Sequence, residues 1–201
     1  MISQANPCDK SFKVVGKIIS NRLLVIYLGN VLFDIIAPGR NEMKLKYIKP
    51  FIESVYDFFV MMLNSKAEKG EIGLRGVERA TYEITSLIGL SGVARGSVAL
   101  SFPLDTAVGI ANRLLGSDYR DLNKQVTDAV AESVNIVAGS AKSKFFKGAG
   151  RPIDLSLPNV VIGKNYTVSY PSMSVWLEVP FSSELGAFSM RVTFEMNEIQ
   201  Q

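Results

Sequence analysis

The sequence predicts an α+β protein in which a largely antiparallel sheet packs against one long helix and two further helices. Apolar residues recur at every third or fourth position in some stretches and at every second position in others, and the two kinds of stretch do not alternate one by one. The extended stretches come in neighbouring pairs with short connections, as in β-hairpins. With 201 residues, 47% hydrophobic and 20% charged, the composition is that of a folded domain.

The first 42 residues differ from the remainder of the chain. Their apolar run from Leu23 to Ile36 is interrupted by Asn30 and Asp34, and it is shorter than the roughly 20 residues that a membrane-crossing helix needs. This segment either docks on the body as a short strand or helix, or is an upstream extension of a protein that starts naturally at Met43. We favour the second interpretation, because a well-patterned helix follows Met43 directly. The predicted organisation is therefore an N-terminal extension, 1–42, and a domain, 43–201.

The first half of the domain is predicted to hold one helix and one hairpin. The helix covers 46–63, with Pro50 near its start, where a missing N–H costs little. A polar stretch that contains several glycines, 64–79, is predicted as a loop. Apolar residues on alternate positions then predict two strands, 81–90 and 96–102, joined by a glycine-bearing turn.

The second half is predicted to begin with two consecutive helices. The first covers 103–115, with Pro103 in its first turn and Gly116 as its stop signal. The second covers 121–147 and is ended by glycines. The pattern then becomes extended, with short pieces followed by a C-terminal hairpin: 153–157, 160–162, 166–169, and the pair 175–181 and 188–194.

Composition excludes several classes of function. The chain has no His, which removes every Ser-His-Asp or Cys-His arrangement. Its one Cys, Cys8, allows neither a Cys/His zinc site nor an internal disulfide, so no metal site is predicted and we expect a cytoplasmic protein. A net charge of +3 is too dilute for nucleic-acid binding. Any chemistry must come from carboxylates, amides, hydroxyls, Lys or Arg.

The helix at 121–147 carries two contrasting faces. At about 100° per residue, its valines and Ala141 gather on one side, and Asp128, Glu132, Asn135 and Gly139 gather nearly opposite, within an arc of roughly 60°. An ordinary solvated face would look similar. However, Asn is a poor residue for a helix interior, and Gly139 costs on the order of 1 kcal/mol relative to Ala. A close packing neighbour within the fold would also explain Gly139.

This helix resembles the motif helix of the CheC/CheX/FliY family of chemotaxis phosphatases. Asp128, Glu132 and Asn135 match the family's Asp/Ser-x3-Glu-x2-Asn signature, and the small residues after Asn135 match as well. The stretch 157–163 resembles the family's Pro-x-Val-Val-x-Gly element, and 95–98 resembles the turn before its second strand. Only one copy of the signature is present, as in CheX-type members, because Asn112 is preceded at the required spacing by Gly109 rather than Glu.

The resemblance implies a CheC/CheX-like fold and hydrolysis of the acyl phosphate on a CheY-like response regulator. Asn135 would orient the attacking water, and Glu132 would pair with the regulator's active-site Lys. Asp128 and Gly139 would belong to the partner-binding surface. The resemblance further implies no cofactor on this chain, a Mg²⁺ ion held by the partner receiver, and a homodimer formed through sheet edges near the C-terminus. From the short apolar run and the dilute net charge we also expect no membrane span and no nucleic-acid partner.

Two other interpretations stay open. The first is a non-catalytic receiver-binding protein of the flagellar switch or of a signalling scaffold, and intact Glu132 and Asn135 argue against it. The second is a small-ligand module, which would need an apolar cavity between helix and sheet.

Overall fold

The computed structural model describes residues 16–19, 22–25, 40–75, 82–92, 94–145, 153–166 and 176–196. The chain separates into two compact units, Met1–Lys46 and Tyr47–Gln201. The described strands of the first unit form an antiparallel hairpin of β1 (Gly16–Ile19) and β2 (Arg22–Val25). The division of the protein into 1–42 and 43–201 stays a prediction.

Three helices occur in the described part of the chain: α1 (Arg40–Leu63), α2 (Leu104–Leu115) and α3 (Lys124–Phe145). The helix α1 begins six residues before the predicted start, at Arg40. Gly116 ends α2 in the left-handed conformation, with φ 62°, as predicted. The backbone N–H of Val126 donates to Asn123 Oδ1 at 2.9 Å, so Asn123 caps the start of α3.

The second unit contains an eight-stranded sheet in which every pair is antiparallel. Its central order is β9, β10, β6, β5; β3 and β4 flank β9, and β7 and β8 flank β5. The strands are β3 (Ala67–Lys69), β4 (Gly73–Arg75), β5 (Ile84–Gly92), β6 (Ala94–Phe102), β7 (Ile153–Leu155), β8 (Asn159–Ile162), β9 (Trp176–Ser183) and β10 (Gly186–Met196). The predicted α+β class with a largely antiparallel sheet is confirmed.

The hydrophobic core lies between the three helices and one face of the sheet. Phe188 of β10 stacks between Phe59 of α1 and Phe181 of β9, with ring centroids 4.8 and 5.0 Å apart. Alternate residues of β6 complete this layer, including Val98 and Leu100. The core fixes α3 across β5 and β6, so the orientation of α3 is set by its valine side.

The opposite face of the sheet is rich in small and polar residues. Thr85 of β5 donates from Oγ1 to Ser101 Oγ of β6 at 2.8 Å, and Tyr166 donates its hydroxyl to Thr85 Oγ1 at 2.6 Å. Arg191 and Glu178 pair across β10 and β9 at 3.4 Å. We refer to this side below as the polar face.

Two predictions for strands were wrong. The segment 64–79 was predicted as a loop, but it contains β3 and β4, which pair with β9 through their backbones. The C-terminal strands were predicted to offer free edges, yet β10 lies between β6 and β9, and β9 carries β3 and β4 on its outer side. Other predicted elements fall partly outside the described residues, namely the helix end at 146–147 and the strand at 167–169.

Candidate functional site

The described structure confirms the two-faced character of α3. Its valines and Ala141 are fully buried against the sheet and the other helices: Val126, Val130, Val134, Val137 and Ala141. Asp128, Glu132 and Asn135 are exposed on the other side, and Gly139 is half-buried at the end of that row. The four residues that the sequence selects therefore share one accessible face, whereas their functional roles stay predictions.

Glu132 and Asn135 lie side by side on this face. Asn135 donates from Nδ2 to Glu132 Oε2 at 3.3 Å, which is a long hydrogen bond. In the described structure the Asn135 side chain makes no other hydrogen bond, so Oδ1 and one N–H remain available to a water molecule. No Lys or Arg of the described ranges pairs with Glu132, so its carboxylate is free to receive a cation from outside the chain.

Asp128 has a partner within its own helix. Lys124 Nζ lies 2.5 Å from Asp128 Oδ2, and the side chains are 82% and 61% exposed. An exposed pair of this kind contributes about 0–1 kcal/mol because water and salt screen it. Asp128 can therefore exchange Lys124 for a basic group of a docked protein at little cost.

Gly139 leaves open space beside this row. A Cβ at this position would meet no atom within 4 Å, apart from the neighbouring helix backbone. The alternative explanation for this glycine, a close packing neighbour within the fold, is therefore wrong for the described structure. Helix interiors disfavour Gly, and packing within the described structure does not account for this one.

The corresponding position in α2 does not form a second site. Asn112 donates from Nδ2 to the Tyr119 carbonyl at 2.8 Å and accepts the Tyr119 backbone N–H on Oδ1 at 2.7 Å. Both ends of this amide are used to hold the loop after α2, so it cannot position a water. The single row on α3 is the only match to the signature in the sequence.

The basic residues at the end of α3 bind other elements of the fold. Lys144 Nζ lies 2.6 Å from Asp57 Oδ2 and also donates to Ser54 Oγ of α1. Lys142 Nζ lies 3.9 Å from Asp154 Oδ1 in β7. These pairings cannot be read from the sequence, because Asp57 and Asp154 are remote from the lysines along the chain.

Other kinds of site find little support among the described residues. No group of three acidic, His or Cys side chains that could hold a metal ion occurs in these ranges. An open groove of about 660 Å³ lies between the end of α1 and the turn that follows β9. Val60 is the one apolar residue among those that line it. A groove with such polar walls does not fit the apolar ligand cavity of the small-ligand interpretation. No described helix is long and apolar enough to cross a membrane.

Comparison with known proteins relates the chain to a family. A sequence model of the family "Chemotaxis phosphatase CheX" matches residues 84–182. The crystal structure of chemotaxis protein CheX from Vibrio vulnificus is 30% identical, covers 75% of this chain and 99% of its own, and has a TM-score of 0.68. The chain belongs to the CheC/CheX/FliY family.

Two further members of this family carry names that describe a function. The CheY-P phosphatase CheX of Thermotoga maritima is 26% identical over 141 residues, which are 70% of this chain and 89% of the relative. The CheX of the Borrelia burgdorferi CheX–CheY–BeF₃–Mg²⁺ complex is 26% identical, with a TM-score of 0.63, and covers 74% of this chain and 97% of its own. Membership also accounts for the confirmed fold, since these relatives align with most of the chain.

Proposed function

We propose that this chain dephosphorylates a CheY-like receiver that carries an acyl phosphate on an Asp side chain. The observation that carries the proposal is the exposed pair of Glu132 and Asn135 on the open face of α3. Membership in the CheX family supports it, because one relative is named a CheY-P phosphatase and another forms a complex with CheY.

Asn135 is proposed to position the attacking water. In the reaction, a bond forms between the water oxygen and phosphorus while the bond from phosphorus to the Asp oxygen breaks. Catalysis of this kind consists mostly of positioning and charge neutralisation. A neutral amide suits the task, since Oδ1 accepts a water hydrogen and Nδ2 donates to the water oxygen. The amide is not a base, so the water's proton leaves to the phosphate or to solvent.

Glu132 is proposed to fix the receiver's active-site Lys. The exposed carboxylate has no basic partner in the described ranges, and docking would place a cation against it and form a charge-assisted hydrogen bond. The 3.3 Å contact with Asn135 supports a coupled arrangement, because a carboxylate held by the Lys would in turn orient the amide. Glu132 would therefore act by holding the geometry in which Asn135 meets the phosphoryl group.

Asp128 and Gly139 are proposed to contact the receiver on either side of this pair. The weak tie of Asp128 to Lys124 and the open space at Gly139 support such contacts. The chemistry would also use Mg²⁺, which neutralises phosphoryl charge and which we assign to the receiver. We further propose a cytoplasmic location, because the substrate would be a chemotaxis receiver. A homodimer is proposed as well, although its interface would not use β9 or β10 as free edges.

The direct test measures loss of radiolabelled phosphate from each CheY-like receiver of the same genome, with and without this protein. We expect one receiver to lose its phosphate at least about tenfold faster in the presence of catalytic amounts. Stable binding to a phosphorylated receiver without any acceleration would instead support the non-catalytic, switch-type alternative. Equal decay of every receiver, combined with no binding, would contradict both.

A further inference from the structure

The ion pair between α3 and β7 shows which side of the candidate site faces the edge of the sheet. Positions seven apart on a helix differ by only about 20° of rotation, so Asp128, Asn135 and Lys142 form one stripe along α3. Lys142 pairs with Asp154 in β7, and α3 packs against both β7 and β8. Within the exposed row of α3, the side that carries Asn135 is therefore the side next to the edge formed by β7 and β8.

The side chain of Ile162 in β8 points to the face of the sheet on which the helices pack. Directly opposed residues of an antiparallel pair point to one face of the sheet. Ile162 lies opposite Ile84, which is fully buried in the core beneath the helices, yet Ile162 is 50% exposed. Val161, the residue before it, lies opposite Thr85 and therefore belongs to the polar face.

A second apolar side chain is exposed at the opposite end of β8 from Ile162. Leu157, in the connection between β7 and β8, is 85% exposed. Its position is nevertheless fixed, because Ser156 Oγ accepts the Gly89 backbone N–H at 2.9 Å and donates to the Leu157 carbonyl at 2.8 Å. A loop anchored in this way presents a leucine to solvent without a local packing reason.

We infer that Leu157 and Ile162 form a docking strip for the phosphorylated receiver, and this inference rests on the proposed function. A specific interface covers about 800 Å² per partner, far more than the exposed surface of three motif side chains. A receiver whose phosphoryl group reaches Asn135 must therefore also cover surface beside α3. The β7–β8 edge lies next to the side of α3 that carries Asn135, and it offers exposed apolar surface whose burial favours association.

The test compares Ile162→Thr and Leu157→Ser with the control Val161→Thr in the full chain. Thr retains the β-branched shape that strands favour, and Val161, 36% exposed, lies one residue away on the other face. We expect each strip variant to raise the KM for the phosphorylated receiver by about tenfold with kcat within twofold of wild type, since anchor residues contribute to affinity rather than to chemistry. Val161→Thr should leave both constants unchanged.

A binding assay separates this inference from the proposed function. Receivers loaded with beryllofluoride and Mg²⁺ imitate the phosphorylated form, and their dissociation constants should rise about tenfold for the strip variants. Binding that weakens in this way, with no turnover by wild type, would support the strip and contradict the phosphatase function. If wild type turns over the receiver and both strip variants keep the wild-type KM and binding, the docking strip is refuted while the proposed function stands.

The strip would instead belong to a contact with a second copy of the chain if Ile162→Thr converts a homodimer to a monomer and leaves receiver binding unchanged. That result would also refute the strip. If wild type neither binds nor turns over any receiver, both proposals fail.

Discussion

Replacement of Gly139 by Ala should raise stability and lower function in the same molecule. Gly139 is a helix-interior residue, and an added Cβ would meet no atom within 4 Å. Ala is favoured over Gly in a helix by about 1 kcal/mol, so nothing in the described surroundings offsets the gain. For a domain of this size, a gain of about 1 kcal/mol corresponds to a melting temperature about 2–4 °C higher.

The same methyl group should obstruct the receiver. If the partner approaches the α3 backbone at Gly139 within van der Waals contact, one added methyl overpacks the interface and costs about 1–3 kcal/mol. That range corresponds to a KM for the phosphorylated receiver about 5 to 150 times higher. The rate constant kcat should change less, because Glu132 and Asn135 keep their positions.

Gly109→Ala is the matched control. Gly109 lies inside α2, is half-buried like Gly139, and an added Cβ there would meet Leu185 at no less than 3.8 Å. This variant should gain similar stability with unchanged kinetics. Thermal melts and steady-state dephosphorylation of both variants decide the matter. A stabilised Gly139→Ala protein with wild-type KM would refute the role of Gly139 in docking, and a destabilised one would refute the open surroundings described above.

Three other outcomes are expected. Asp128→Ala should raise the KM about two- to fivefold at low salt and by less at high salt, because an exposed charge contributes to association through screened attraction; a change in kcat alone would contradict a docking role. The fragment 43–201 should match the full chain in melting temperature and activity, whereas a melt many degrees lower or aggregation would show that residues 1–42 belong to the fold. Light scattering at tens of micromolar should give the mass of a dimer, and a monomeric mass would count against the proposed homodimer.

The parts of the fold that follow from local periodicity could be predicted from the sequence. The valines of α3 recur at helical spacing, so both its length and its two faces were predictable within a few residues. The C-terminal hairpin was equally clear, because Val179 and Met190 belong to alternating runs that pair in register. Gly116 marked the end of α2 through the conformation that it permits.

The features that depend on remote partners could not be predicted in the same way. The strands β3 and β4 are three residues long and owe their extended form to backbone bonds with β9, so their polar sequences resemble a loop. The locking of Asn112 by Tyr119, and the pairing of Lys142 with Asp154, require the tertiary structure. The sequence therefore identified the candidate residues of the site, whereas the structure was needed to show which surfaces lie beside them.

The most direct test of the proposed chemistry is single-turnover dephosphorylation of the receiver by Asn135→Ala and Asn135→Asp. Both variants should fold normally, because Asn135 is exposed on α3 and its one hydrogen bond within the described structure is the long contact with Glu132. Ser143→Ala, at another exposed position of the same helix, serves as the control. We predict a loss of about a hundredfold or more in rate for both Asn135 variants at saturating concentrations, since positioning of the water accounts for most of the catalysis. Near wild-type turnover by Asn135→Ala would contradict the assignment.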